Sequence, residues 1–183
     1  MTGICFIKKG FLKVELNGKQ GRPLILRIAG KGSIFGHRLF EGHTHHTFSV
    51  TAVSDVQYCY IAYDQFHDIT CKSPLLQQHL ISKVLDELEE DEKKVIYLAH
   101  KSVREKVAET LLSLAKTYEF DQKENSFRIN LGRQDIADLA GTTKEQVSKV
   151  LKDFEKEGLL KCSAKEFSYL KIKKLQFVTG LSS

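Results

Sequence analysis

Residues 133–151, RQDIADLAGTTKEQVSKVL, constrain the fold of this chain more than any other stretch. Ala137 is small, which suits a point where a second helix crosses closely over the first. Gly141 follows four residues later and supplies the positive φ that a tight turn needs. Six residues further on, Val147 turns back towards a core. Ile136, Leu139, Val150, Leu151 and Phe154 complete the apolar side. Spacing and residue type agree on two short helices joined by a sharp turn, a helix-turn-helix.

The start of the second helix can be read in two ways. Thr142-x-x-Glu145 and Thr143-x-x-Gln146 both fit a capping box. If Thr142 caps, Glu145 is occupied with backbone; if Thr143 caps, Glu145 points outward. Thr143 is preferred, because Lys144, Glu145, Ser148, Lys149 and Lys152 then share one exposed face opposite the valines. Such a face suits a major groove, where Glu145 can accept from a cytosine amino group and Lys149 can donate to guanine O6 and N7. The plainer alternative is a solvated charged face on a helical hairpin. Between Gly141 and Leu175 stand nine lysines against five acidic residues, the excess that a phosphate-binding surface needs. Gln134, at the start of the first helix, is placed for a phosphate as well. The tail after Gly158 reads as two strands joined near Ser163-Ala164-Lys165. That is a wing, with Lys165 on the flanking backbone. Double-stranded DNA is the expected partner.

Ahead of this block the periodicity is different. Residues 1–63 hold short runs separated by turn signals at Gly10, 17–21 and Ser54-Asp55, the pattern of a small β-sandwich or barrel. Residues 74–100 read as one long helix with Pro74 in its first turn. Leu76, Leu80, Val84 and Leu88 step by four along it, and Val95 and Ala99 resume the stripe between charged flanks. A long helix with one apolar side needs a partner, and a second copy is the economical one. Residues 102–118 form another amphipathic helix, with Val107, Leu111, Leu114 and Tyr118 on one face. The expected class is α+β. A β-roll of jelly-roll type spans 1–73, a dimerisation helix and hinge 74–101, and a winged helix-turn-helix 102–183. Net charge is +5, mildly basic. No run approaches a membrane span, and the N-terminus lacks the marks of a signal peptide. The four cysteines are scattered without a CxxC pair, which suits a reduced cytoplasmic setting. Nucleophile elbow, phosphate loop and metalloprotease helix are absent, so enzymatic chemistry is not expected.

The chain as a whole resembles the Crp/Fnr family of bacterial transcription regulators. SVREKVAETLLSLA and RQDIADLAGTTKEQVSKVLKDFEKEGLL look like its winged helix-turn-helix, residues 74–100 like its dimer helix, and KKGFLKV and KGSIFG like its effector-binding roll. The roll is also similar in style to that of regulators from Bacteroidetes. The resemblance implies a homodimer on a palindromic site with TTGA-like half-sites, a small-molecule effector, and RNA polymerase as a further partner. Glu145-x-x-Ser148-Lys149 is similar to the Glu-x-x-Ser-Arg pattern of the Fnr branch. Lysine keeps the charge of arginine but loses its bidentate fork, so looser base preference is implied. Family members usually carry a few dozen residues before the strand that here begins at Ile4. Either the start is misassigned, the chain is cut, or the roll is genuinely reduced; in the iron–sulfur branch those residues hold the cluster cysteines, so an oxygen-sensing cluster has no support. Coupling between roll and DNA is expected through a hinge near Ala99–Ser102.

GHRLFEGHTHHT, residues 36–47, sits where cyclic-nucleotide members hold ribose with a Gly-Glu pair and phosphate with an Arg-Ser pair. Here those positions are Gly36-His37 and His46-Thr47. The carboxylate and the arginine fork are both missing, so an effector other than cyclic AMP is implied. His43, His45, His46 and His37 lack cysteine or acidic partners at metal-ligand spacing, and adjacent His45 and His46 point to opposite faces of a strand. No metal or other cofactor is expected. The rival function is a ligand-sensing module that acts through a protein partner rather than DNA.

Overall fold

The computed structural model describes residues 3–17, 23–37, 48–120, 123, 125–163, 166–168 and 171–180. Six strands open the chain: β1 (Gly3–Lys9), β2 (Leu12–Asn17), β3 (Pro23–Ala29), β4 (Ile34–Phe35), β5 (Ser49–Ala52) and β6 (Gln57–Ala62). They form two antiparallel three-stranded sheets, ordered β4-β1-β6 and β3-β2-β5. Gly10 turns the chain from one sheet to the other at φ +94°, and a Cβ there would lie 2.2 Å from the carbonyl oxygen of Asp55. Cys5, Ile7, Leu12, Val14, Ala29 and Phe35 fill the space between the sheets.

Helices follow. Helix α1 (Tyr63–Cys71) leads into α2 (Pro74–His100). Ser73 caps α2 by accepting from the Leu76 N–H at 3.3 Å, and Pro74 sits where a missing N–H costs nothing. Lys101 is extended and breaks the helix. Ser102 and Glu105 then close a reciprocal capping box that starts α3 (Val103–Thr117). The joint is braced by Tyr97, buried at the end of α2, whose hydroxyl donates to the Lys106 carbonyl at 2.8 Å and lies 3.0 Å from the Thr110 hydroxyl. Beyond lie β7 (Ser126–Arg128), α4 (Arg133–Ala140), α5 (Lys144–Lys156), β8 (Lys161–Cys162), β9 (Glu166–Ser168) and α6 (Ile172–Val178). The last three strands form a small antiparallel sheet, ordered β7-β9-β8.

Three of these elements depart from the sequence reading. Helix α1 occupies residues assigned to the roll without a helix. Strand β7 (Ser126–Arg128) precedes the helix-turn-helix, where the sequence reading has no strand. The terminal LKIKKL run, expected to be strand-like, is the start of α6, because Leu175 packs into the core under α3 only with helical spacing. The α2 stripe also needs redrawing. Leu76 and Leu80 are half-buried towards their own chain, while Val84, Leu88 and Val95 are exposed. Ile81, Leu85 and Ile96 join the exposed set. A real helix turns 100° per residue, so a strict step of four drifts off one face over several turns.

The larger core crosses from the roll to the DNA-side helices. Ile25 and Ile28 of β3 are buried in the same cluster as Val107, Leu111, Ile136, Leu139, Val147 and Phe154. Strand β3 is thus covered on both faces, by the roll interior on one and by α3 and α4 on the other, while β5 at the sheet edge is exposed. Polar contacts reinforce the join. Lys13 on β2 pairs with Asp135 on α4 at 3.0 Å. Phe11 stacks on Tyr118, ring centres 4.1 Å apart. Lys94 on α2 donates to the Leu139 carbonyl near the end of α4, with its ammonium 4.7 Å above the Tyr97 ring.

Burial holds the Lys94 pKa down to about 8, with Glu109 pulling the other way. The unfolded chain keeps that proton up to the ordinary lysine range. The folded state is therefore penalised below pH 8 and relieved of the penalty as pH rises from 8 towards 10. Against a Lys94→Met variant, the wild-type chain is expected to gain roughly 2 kcal/mol between pH 7 and pH 10. Urea denaturation of both at the two pH values checks this; parallel behaviour would show that Lys94 titrates normally.

Candidate nucleic-acid interface

Helix α4 ends on Gly141 in the left-handed region, φ +60° and ψ 44°. The Thr142 N–H bonds back to the Ala137 carbonyl at 3.0 Å, which closes the turn. Thr143 is the N-cap of α5, its hydroxyl oxygen accepting from the Gln146 N–H at 3.3 Å. The preferred cap is the one adopted. The Gln146 side chain does not reach back as a capping box would have it; the Thr142 hydroxyl donates to its amide oxygen instead. On the buried side of α5 lie Val147 (0 % exposed), Leu151 (2 %) and Phe154 (0 %). Lys144, Glu145, Lys149 and Lys152 are exposed on the other. Crossing at Ala137, itself fully buried, lets α5 sit close on α4.

Two polar residues of this face have local partners. The Glu145 carboxylate accepts from its own backbone N–H and from the Thr143 hydroxyl, which holds its pKa below the usual carboxylate range. It leans over the helix start rather than pointing straight outward, so a base contact must share or replace those bonds. Ser148 is half-buried and donates to the Lys144 carbonyl at 2.9 Å. Gln134 is exposed in the first turn of α4 and its amide donates to Asp138 at 2.8 Å.

The wing strands β8 and β9 are present, and β7 adds a third strand against them. Lys165 lies outside the described residues. A wing contact that sequence reasoning missed comes from Arg133. Its guanidinium donates to the Ser163 carbonyl at 2.8 Å and lies 5.3 Å from the centre of the Phe167 ring. The arginine thereby ties the wing to the first turn of α4. The available signal was a cation at the opening of the helix-turn-helix with an aromatic residue in the facing strand.

At the opposite end of the molecule, the effector-type cassette is only partly described. Gly36 has φ +96°, and a Cβ there would sit 2.4 Å from the Gly3 carbonyl oxygen, so only glycine fits. His37 Nε2 is 3.3 Å from Glu87 on α2, and Arg27 on β3 donates to the same carboxylate at 2.9 Å. Nδ1 of His37 is buried with no hydrogen-bond partner. Beside it a cavity of about 280 Å³ is lined chiefly by Ile34, Phe66, Leu80 and Val84. His43, His45, His46 and Thr47 lie outside the described residues, so the structure brings none of them to His37. Among the described residues no group of three His, Cys, Asp or Glu side chains could hold a metal ion.

Comparison with known proteins agrees with both ends of this arrangement. Residues 1–72 match the model of the cyclic nucleotide-binding domain, and residues 105–177 match that of the Crp-like helix-turn-helix domain. The chain is 28 % identical over 163 residues to the cAMP-activated global transcriptional regulator of Pasteurella multocida, covering 88 % of this chain and 78 % of that one. It is 27 % identical over 185 residues to the fumarate and nitrate reduction regulatory protein of Vibrio cholerae, covering 100 % and 73 %. Among solved structures it is similar in fold to FixK2 of Bradyrhizobium japonicum, with a TM-score of 0.87 and 20 % identity over 100 % of this chain and 89 % of that one.

The turn offers a direct test of this geometry. A Cβ on Gly141 would lie 2.5 Å from Leu98 Cδ2 of α2, in a backbone conformation that L-residues avoid. Gly141→Ala is expected to cost about 1–2 kcal/mol. A thermal melt checks it: an unchanged Tm would mean that the turn does not need left-handed backbone.

Proposed function

The chain belongs to the Crp/Fnr family of transcription regulators, and on that premise we propose that it acts as a homodimer on a palindromic DNA site with TTGA-like half-sites. It is a DNA-binding regulator with a cyclic-nucleotide-binding-type domain, and its relatives are regulators rather than enzymes. The observation that carries the finer reading is the division of α5. One side is wholly buried, and the other offers Lys144, Glu145, Lys149 and Lys152 to solvent at the start of a helix, the end that enters a groove. Lys149 supplies a donor for guanine and Glu145 an acceptor for cytosine, while Lys144, Lys152 and Gln134 serve phosphates. Ser148 and Thr143 complete the approach of the helix start, and Lys165 extends the contact along the wing.

Dimerisation is supported by α2. Ile81, Val84, Leu85, Leu88 and Val95 are at least half exposed on one side of a 27-residue helix, an apolar seam that a copy of itself would cover. Leu76 and Leu80, also proposed for that seam, are half-buried, and Leu80 lines the cavity beside the roll together with Ile81, Val84 and Leu85. An effector other than cyclic AMP is supported by His37, which stands where a ribose-binding carboxylate would be and lies 3.3 Å from Glu87. Gly36, His37, His46 and Thr47 are the residues proposed to meet that effector. RNA polymerase is the proposed partner at promoters and the cytoplasm the proposed setting; no described helix is long and apolar enough to cross a membrane.

Selection of fragments from a random DNA pool tests the function, and recovery of an inverted repeat is the expected result. Loss of charge in a Lys144→Ala, Lys149→Ala double variant should flatten the salt dependence of binding; unaltered affinity would favour a protein partner instead. Glu145→Ala is expected to relax preference at one base pair of each half-site by roughly 1–3 kcal/mol, seen as converging affinities for the four bases there. Leu88→Glu should place like charges across the seam and shift the chain to monomer in analytical ultracentrifugation at micromolar concentration. A chain that stays dimeric would place the interface elsewhere.

A further inference from the structure

Helix α4 is held at both ends by other elements, the roll at one and α2 at the other. At its N-terminal end, Asp135 takes the Lys13 ammonium at 3.0 Å on one carboxylate oxygen and the Gly132 N–H at 2.8 Å on the other. Lys13 is also 3.1 Å from Glu15, which accepts from the Thr51 hydroxyl at 2.8 Å, so the cation is fixed within the sheet β3-β2-β5. At the C-terminal end, Lys94 of α2 meets the Leu139 carbonyl, a fitting place for a cation where a helix presents its free carbonyls. Between the two lie Ile25 and Ile28 of β3, buried in the cluster that contains Leu139 and Ile136. Side chains of Lys13 and Asp135 are only 20 % and 26 % exposed, so this is not a loose surface pair.

We propose that Lys13 and Lys94 are positioning residues: they clamp α4 to the roll and to the long helix and thereby set the angle at which α5 meets DNA. This rests on the reading of the chain as a dimer on paired half-sites. A dimer carries two copies of α5, and both reach the groove only when the distance and tilt between them match the spacing of the half-sites. At the hinge itself, Lys101 is extended and the joint is braced by Tyr97 against α3. The clamp ties it at two further points, each on a different element. Neither lysine lies on the exposed face of α5, so their effect on DNA must pass through orientation rather than contact.

The test uses the full chain and duplexes carrying TTGA and TCAA half-sites, with the centre spacing varied one base pair at a time, beside a duplex with a single half-site. The wild-type chain is expected to prefer one spacing sharply. Lys13→Glu, which sets like charges against Asp135, is expected to lower the preference between the best spacing and one two base pairs longer by about tenfold. Its affinity for the single half-site should stay within about twofold. Lys13→Gln, which only removes the charge, should show a smaller loss in the same direction, and Lys13→Arg should restore the wild-type profile. If Lys13→Glu keeps the sharp spacing preference, the clamp does not set the angle. If Lys13→Glu and Lys13→Gln lose single-site affinity as much as paired-site affinity, Lys13 supports folding alone and the proposal also fails. A wild-type chain without any spacing preference would sink the dimer reading itself, which the variants cannot mimic.

Discussion

The burial of strand β3 on both faces is the constraint on which the rest of the molecule depends. Its neighbours on one side are the roll interior, and on the other the helices α3 and α4. Ile25 and Ile28 place apolar surface in the same core that seats Val147 and Phe154, the residues that orient α5. Exposing that face would cost about 25 cal/mol for each Å² of apolar area returned to water. The join is therefore part of the fold and not a contact added to two finished units. Two residues along the same strand, Arg27 donates to Glu87, which also meets His37 of the cassette. A single seven-residue strand thus touches the effector-type end, the long helix and the DNA side.

Helix α2 divides its surface in a matching way. Leu80 and Glu87 face the roll, Lys94, Tyr97 and Leu98 face the helix-turn-helix, Leu88 and Val95 face solvent, and Ile81, Val84 and Leu85 are half exposed at the rim of the cavity beside the roll. Leu98 reaches the turn itself, close to where a side chain on Gly141 would stand. Helix α2 thus contacts the cassette through Glu87, and the turn of the helix-turn-helix through Leu98 and Lys94. These are packed, hydrogen-bonded contacts, the kind of network through which two sites can bias one another.

Much of this was legible in the chain. Periodicity located the long helix and the helix-turn-helix, because amphipathic helices and turn glycines leave local marks. The cap at Thr143 could be preferred over Thr142 from the consequences for the exposed face. What escaped was settled by non-local contact. Leu76 and Leu80 fit a four-residue step on paper, yet their burial depends on where the roll lies. The KIKKL tail is helical because Leu175 meets α3, a partner far away in sequence. The Glu145 carboxylate turns to Thr143 and its own N–H, a side-chain choice that spacing does not encode. One missed feature did have a signal: PLILRIAG is apolar at Leu24, Ile25, Leu26 and Ile28 without alternation, the mark of a strand covered on both faces.

The sequence by itself determined part of the local grammar: the long helix, the helix-turn-helix, the turn at Gly141, and which face of α5 carries charge. Those properties follow from steric limits and from periodicity within a few residues. Only the tertiary structure decided that roll and helix-turn-helix share one core, that Lys13 finds Asp135 across 122 positions, and that His37 lies 3.3 Å from Glu87. Such pairings follow from chain topology. They exist because burying Ile25 and Ile28 brings distant polar groups together, and buried polar groups must then find partners.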